Sequence, residues 1–305
     1  MNKVWYDGDG YLCNILEDNI HTLLVQEQVI PLEASIHAVF SDTISIKQTK
    51  TVEVLYSGGL DSELVLYVCK KNSIPVKAIT MRLIAKGITI NMVDMYYSTK
   101  FCRENEIEQK IVDLDVTKFY ESGDYLQYLD PYQITEPHIA THLWLFEQCS
   151  AFPVFGGEYT WPWVYEGVPR FFSPIRYNLC HYDSFLHDNS IHGIGSMLNR
   201  TFESNMIFVK EHVRQMLSDT TNTFGHGDYG IITLKKAMFD SICGTTFEPR
   251  LRSYGWENLD PRIHDQSIYR NFLENRYPKI ESYIEWGNQL AEVIGGLPGR
   301  NSRRK

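Results

Sequence analysis

The chain has 305 residues, 43% of them hydrophobic and 22% charged, enough for one large domain or two modest ones and too apolar for wholesale disorder. Its formal net charge of −9 works against a polyanion as the main partner, because nucleic-acid binding draws on Lys and Arg that neutralise phosphates. No run reaches the roughly 18 apolar residues of a membrane helix, and Met1-Asn2-Lys3-Val4-Trp5-Tyr6-Asp7 lacks the apolar core of a secretory signal, so a cytoplasmic protein is expected. The six cysteines (Cys13, Cys69, Cys102, Cys149, Cys180, Cys243) are scattered without a CxxC pair, a spacing that suits reduced structural thiols rather than a disulfide framework or a zinc site.

In chain order, residues 1–30 read as a small β element, with Val4-Trp5-Tyr6 and Tyr11-Leu12-Cys13 flanking the turn Asp7-Gly8-Asp9-Gly10. Leu32, Ile36, Val39, Phe40 and Ile44 then recur at helical spacing. Val52-Glu53-Val54-Leu55-Tyr56 reads as a buried strand, followed by a glycine loop and a helix from about Ser62 to Lys71 with Leu64, Val65, Val68 and Cys69 inside. A strand from Val76 to Met81, a helix from about Asn91 to Asn105, and a strand Lys110 to Leu114 continue the alternation. Strand-helix alternation implies right-handed crossovers and a Rossmann-like parallel sheet with helices on both faces, an α/β fold. A helix from about Pro137 to Cys149 leads to a fourth strand, Phe152-Pro153-Val154-Phe155, which stops at Gly156-Gly157. Helices over Phe202–Leu217, Ile231–Cys243 and Tyr277–Ile294 make the C-terminal part mostly helical. The expected organisation is an α/β domain over 31–195, a helical part over 196–298 and a basic tail over 299–305.

The loop Ser57-Gly58-Gly59-Leu60-Asp61-Ser62 carries the chemistry. Two residues without Cβ let the backbone turn tightly and bring its N–H groups against a phosphate. Ser57 and Ser62 add hydroxyl donors, and the following helix points its N-terminus at the same anion. Asp61 suits such a loop once a divalent cation is present, because Mg²⁺ takes oxygens from one or two carboxylates plus the phosphates. No Lys follows the glycines, so this is not the GxxxxGK[ST] phosphate loop. In open α/β sheets ligands gather beyond the carboxyl ends of the strands, so both glycine pairs are expected to face one site.

The hexapeptide resembles the signature loop of the ATP pyrophosphatase (PP-loop) family, whose members cleave ATP between the α- and β-phosphates and activate a substrate oxygen by adenylation. Within that family the chain is most similar to the synthetase domain of asparagine synthetase and β-lactam synthetase. Residues 31–45 resemble the amphipathic helix before the loop strand, and Phe155-Gly156-Gly157-Glu158 looks like the second glycine-acid motif. The resemblance implies ATP and Mg²⁺ as cofactors, with the backbone at Tyr56, Met81 and Gly156 cradling adenine and ribose. It implies Glu158 at the reaction centre, as metal ligand or base, and a lysine from the helical part, Lys235 or its neighbour Lys236, on the phosphates. Arg250 and Arg252 compete for that last role. Asn2 follows Met1 and about 50 residues precede the loop strand, so the glutaminase half of asparagine synthetase is not expected. The family's further aspartate in the second motif is Trp161 here.

The functional expectation is an AMP- and pyrophosphate-forming enzyme that adenylates a carboxylate or similar oxygen for displacement by a nitrogen nucleophile. The partner is a small-molecule substrate rather than nucleic acid or a membrane, with a homo-oligomer left open. A nucleobase- or tRNA-modifying PP-loop enzyme and a non-catalytic ATP/AMP-binding module are the alternatives. His138 and His142, four apart beside Glu136, make half a metal site without a third ligand at recognisable spacing. The aromatic run Tyr159-Thr160-Trp161-Pro162-Trp163-Val164-Tyr165 suits either a pocket wall or core packing.

Overall fold

Strands alternate with helices in the structure, a computed structural model that describes residues 32–45, 51–132, 134, 137–157, 159, 161–165, 168–172, 179–218 and 228–249. The chain divides into two compact units, one within Met1–Val54, Leu60–Val76 and Ser150–Arg252, the other within Leu55–Gly59, Lys77–Cys149 and Ser253–Lys305.

In the first unit, helix α1 (Leu32–Ser45) buries Ile36, Phe40 and Ile44 as one stripe. Strand β1 (Val52–Leu55) is buried at every position. Its amide at Val52 donates to Pro75 O at 2.8 Å, just ahead of β2 (Val76–Ala85), and on the other edge Phe152 N–H, opening β5 (Phe152–Phe155), donates to Thr51 O at 3.3 Å. Glu53, 2% exposed in this apolar strand, accepts from Ser150 N–H (2.6 Å), Ser150 Oγ (2.9 Å) and Ala151 N–H (2.8 Å). A buried carboxylate is tolerated there because three donors replace its water. Helix α2 (Leu60–Lys71) buries Leu64, Val65, Val68 and Cys69 completely.

The aromatic run after β5 is a strand, β6 (Trp161–Tyr165), paired antiparallel with β7 (Val168–Phe172) from Trp161↔Phe172 to Tyr165↔Val168. Helices α7 (Leu179–Asp188), α8 (Phe202–Ser218) and α9 (Asp228–Cys243) follow. Helix α8 starts on a reciprocal cap in which Ser204 N–H donates to Thr201 Oγ1 at 3.1 Å and Thr201 N–H donates to Ser204 Oγ at 3.3 Å. Helices α1, α8 and α9 pack on one another, and α9 also packs on α2, which lets the chain's later helices reach the start of α2.

In the second unit, Tyr56 N–H donates to Ile79 O at 2.9 Å, and β2 pairs in parallel with β4 (Glu108–Asp115) from Lys77↔Glu108 to Ile84↔Asp115. Strand β3 (Ile88–Thr89) folds back antiparallel on the end of β2. The resulting strand order is β3-β2-β1-β5, with β4 also paired to β2. Arg82 and Asp113, directly opposite in the β2–β4 register, form a two-pronged pair at 2.7 and 2.6 Å. Its partial exposure limits it to about 1 kcal/mol or less. Helix α3 (Met92–Glu104) returns the chain to β4; after α4 (Val116–Glu121), α5 (Leu126–Leu129) and a 3-10 turn (Asp130–Tyr132), α6 (Pro137–Glu147) leads toward β5. The short helices α4 and α5 and the β6–β7 hairpin are additions to the sequence reading; its hairpin at 1–30, helix at Tyr277–Ile294 and tail lie outside the described residues. Among the described residues no helix is long and apolar enough to cross a membrane.

Candidate functional site

The turn out of β1 is built on close approach. Gly58 has φ +87°, and a Cβ there would lie 2.6 Å from Asp94 O and 3.2 Å from Ser98 N, both on α3. Only glycine fits that backbone and that gap. Gly59 differs: its Cβ would meet only Ser57 Oγ, at 3.4 Å. Ser57 is exposed, while Tyr56 is 1% exposed with its ring edge-on to Phe101 at 5.9 Å. Met81, inside β2, gives its carbonyl to Asn91 Nδ2 at 2.9 Å, and the Asn91 Oδ1 accepts from Leu83 N–H at 2.9 Å. Asn91, 3% exposed, thus fixes the carbonyl direction of β2 at the place expected to face adenine.

In the first unit Leu60 and Ser62 are buried at the start of α2, and Asp61 is partly exposed between them. The end of β5 meets this helix start backbone to backbone: a Cβ on Gly156 would stand 2.9 Å from Ser62 N and 3.0 Å from Asp61 C. The Gly156 carbonyl accepts from Met197 N–H (3.1 Å) and Leu198 N–H (3.0 Å). Gly157 has φ +74°, and a Cβ there would overlap Ser196 Oγ at 2.1 Å. The segment carrying Ser196–Leu198 is pinned by Asp183 on α7, whose Oδ1 accepts from Gly195 N–H at 3.1 Å and whose Oδ2 accepts from Arg200 at 2.7 Å. Glu158 lies outside the described residues, as do Arg250 and Arg252.

A residue from far along the sequence arrives at this point. Lys235 Nζ, on α9, donates to Asp61 Oδ2 at 2.8 Å across 174 positions of chain, and the lysine is only 8% exposed. Its neighbour Lys236 turns instead to Asp240 at 2.5 Å, within its own helix. Lys235 Nζ also lies 6.0 Å from the centre of the Tyr159 ring, within cation–π range. Tyr159 is fully buried and shares a 2.8 Å hydrogen bond with His212 Nδ1. Neither Tyr159 as a partner of Lys235 nor His212 at all was legible in the sequence; the only local signal is a histidine on the apolar face of α8, which reads as core.

Burial, and then the charge of Lys235, pull the His212 pKa down to about 3. Burial lowers His138 to about 3 and His142 to about 4, with the rings edge-on at 5.6 Å. Folded His212 therefore stays neutral where an unfolded chain, with a histidine pKa of about 6.5, takes up a proton. Stability is fully present above pH 6.5 and falls as pH drops toward 3, by about 1.4 kcal/mol per pH unit for one histidine. His138 and His142 act in the same direction. Urea unfolding at pH 7.5, 6 and 5 should show this slope, and His212→Asn should flatten it by one histidine's share; an unchanged slope would contradict the burial of a neutral imidazole. Cys69 and Cys243, pushed up to about 12 by burial, are inert thiols at neutral pH.

Among the described residues no group of three or more His, Cys, Asp and Glu side chains is placed to hold a metal ion. The donor chemistry of one carboxylate fits Mg²⁺ that takes most of its oxygens from a nucleotide.

No protein-family model matches the chain, and no curated protein matches its sequence. Solved structures with some similarity include a predicted subunit of tRNA methyltransferase from Methanocaldococcus jannaschii (15% identity, 51% of this chain and 71% of that one, TM-score 0.32). NMN synthetase from Francisella tularensis shares 13% identity over 82% of this chain and 97% of that one, at TM-score 0.33. The U34-tRNA thiolase NcsA from Methanococcus maripaludis, solved with its 4Fe-4S cluster, shares 20% identity over 39% and 45%, at TM-score 0.22.

Proposed function

We propose that this protein binds ATP through Ser57–Ser62 and cleaves it between the α- and β-phosphates. The observation that carries the reading is the Lys235–Asp61 contact at 2.8 Å. It joins, at the start of α2, a carboxylate suited to Mg²⁺ and an ammonium suited to phosphate oxygens. Asp61 would hold the ion, which supplies charge neutralisation to the triphosphate when bound. Lys235 would then meet the negative charge that builds on the departing pyrophosphate. Tight backbone at Gly156 fixes the approach to the start of α2, so the chain's contribution there is positioning and fixed charge.

At the finer level, the second glycine motif favours adenylation of a substrate carboxylate or similar oxygen, with Glu158 acting on a nitrogen nucleophile that displaces AMP. The bond formed is from that oxygen to the α-phosphorus, and pyrophosphate leaves with the bonding electrons. Trp161, in place of the family's aspartate, supports a second reading in which the site binds ATP or AMP without turning it over. Mass spectrometry of AMP and pyrophosphate, with a metabolite pool as acceptor, separates the two. AMP formed by the wild type and lost in Asp61→Ala is the expected result; equal AMP from both proteins would remove the site assignment, and none from either would leave the binding module.

A further inference from the structure

A lysine side chain has four rotatable bonds and loses up to about 2 kcal/mol of rotamer freedom when held in one geometry. Something must therefore keep the Lys235 ammonium on Asp61. We propose that Tyr159 and His212 are positioning residues for Lys235; this rests on the reading of Asp61 and Lys235 as the charged pair of a triphosphate site.

Phe208 and His212 stand four residues apart on α8, hence on one face, and both are buried, at 0% and 2% exposure. They hold Tyr159 at two points: its ring stacks on Phe208 (5.4 Å, 28° between planes), and its hydroxyl meets His212 Nδ1 at 2.8 Å. Lys235 and Phe239 stand four apart on α9. Phe239 packs on Phe208 with ring centres 5.7 Å apart, while Lys235 extends over the Tyr159 ring toward Asp61. One helix thus clamps the tyrosine, and the tyrosine's ring face sets the path of a lysine from the other. The neutral state of His212, enforced by burial and by Lys235 itself, places no second positive charge beside the ammonium.

The test uses the full chain and needs no nucleotide for its first readout. The ¹⁵N order parameter of the Lys235 ammonium, assigned by its loss in Lys235→Met, is measured in wild type, Tyr159→Phe, His212→Gln and His212→Asn. Tyr159→Phe and His212→Gln should loosen the ammonium, whereas His212→Asn, whose amide occupies the Nδ1 position, should recover most of the order. In turnover, the first two variants should lower kcat between about tenfold and a hundredfold with the KM for ATP within about twofold, the pattern of a displaced group rather than a lost binding contact. An unchanged order parameter in both Tyr159→Phe and His212→Gln would overturn the proposal. Should His212→Gln fail to fold, Tyr159→Phe, which removes one oxygen, decides alone. A wild type that makes no AMP while the ammonium still loosens in the variants defeats the adenylation reading and leaves the positioning intact.

Discussion

Replacing Lys235 by methionine is expected to lower the rate of AMP formation by about a hundred- to a thousandfold while changing the KM for ATP little. Methionine keeps an apolar stem of similar reach over Tyr159 and deletes only the charge, so packing around α9 is preserved as far as one substitution allows. The asymmetry between kcat and KM follows from where the charge acts. In the proposed reaction, the loop and a bound metal would already solvate the phosphates of ATP, whereas charge on the departing pyrophosphate would grow only in the transition state. The Lys235 and Asp61 side chains are 10% and 22% exposed, so the substitution also removes a counter-charge from a half-buried carboxylate and should lower the melting temperature. Lys235→Arg restores the charge but not the point geometry, and only part of the rate should return. A Lys235→Met protein that folds and turns over like wild type would take the lysine out of the chemistry.

The sequence made the two ends of this contact legible separately and could not join them. Asp61 stands out because a hexapeptide of that composition follows a buried strand, and the alternation of Val76–Ala85, Met92–Glu104 and Glu108–Asp115 gives the α/β frame by periodicity alone. Family resemblance points to Lys235 and Lys236 alike; helical phase separates them, sending Lys235 to Asp61 and Lys236 to Asp240. Trp161–Tyr165 was ambiguous because Pro162 and the dense aromatics hide a strand's alternation, and only its partner Val168–Phe172 makes it one. His212 was invisible for a different reason. Its role depends on Tyr159, 53 residues away, and no pattern within a helix reports such a pairing.

Glycine positions separate what the fold needs from what a ligand would need, and they give the most discriminating test of the proposed phosphate loop. Gly156→Ala puts a methyl group 2.9–3.1 Å from the Ser62 nitrogen, the Asp61 carbonyl carbon and the Ser62 Cα. All three are backbone atoms, so no side chain can swing aside; the end of β5 or the start of α2 must move. The expected cost is about 1–3 kcal/mol of stability, with a large loss of turnover because the shift carries Asp61 with it. Gly59→Ala should behave in the opposite way. Its φ is not in the left-handed region, and the new Cβ meets only the rotatable Ser57 Oγ at 3.4 Å, so the fold has no need of glycine there. If a triphosphate presses against this backbone, the methyl group blocks it, and the Kd for ATP should rise about tenfold or more, some 1.4 kcal/mol, at unchanged urea stability. Calorimetric titration beside an unfolding curve reads both quantities. A Gly59→Ala protein that binds ATP like wild type would mean that the phosphates do not approach this turn, and the ligand would have to be sought elsewhere on the chain.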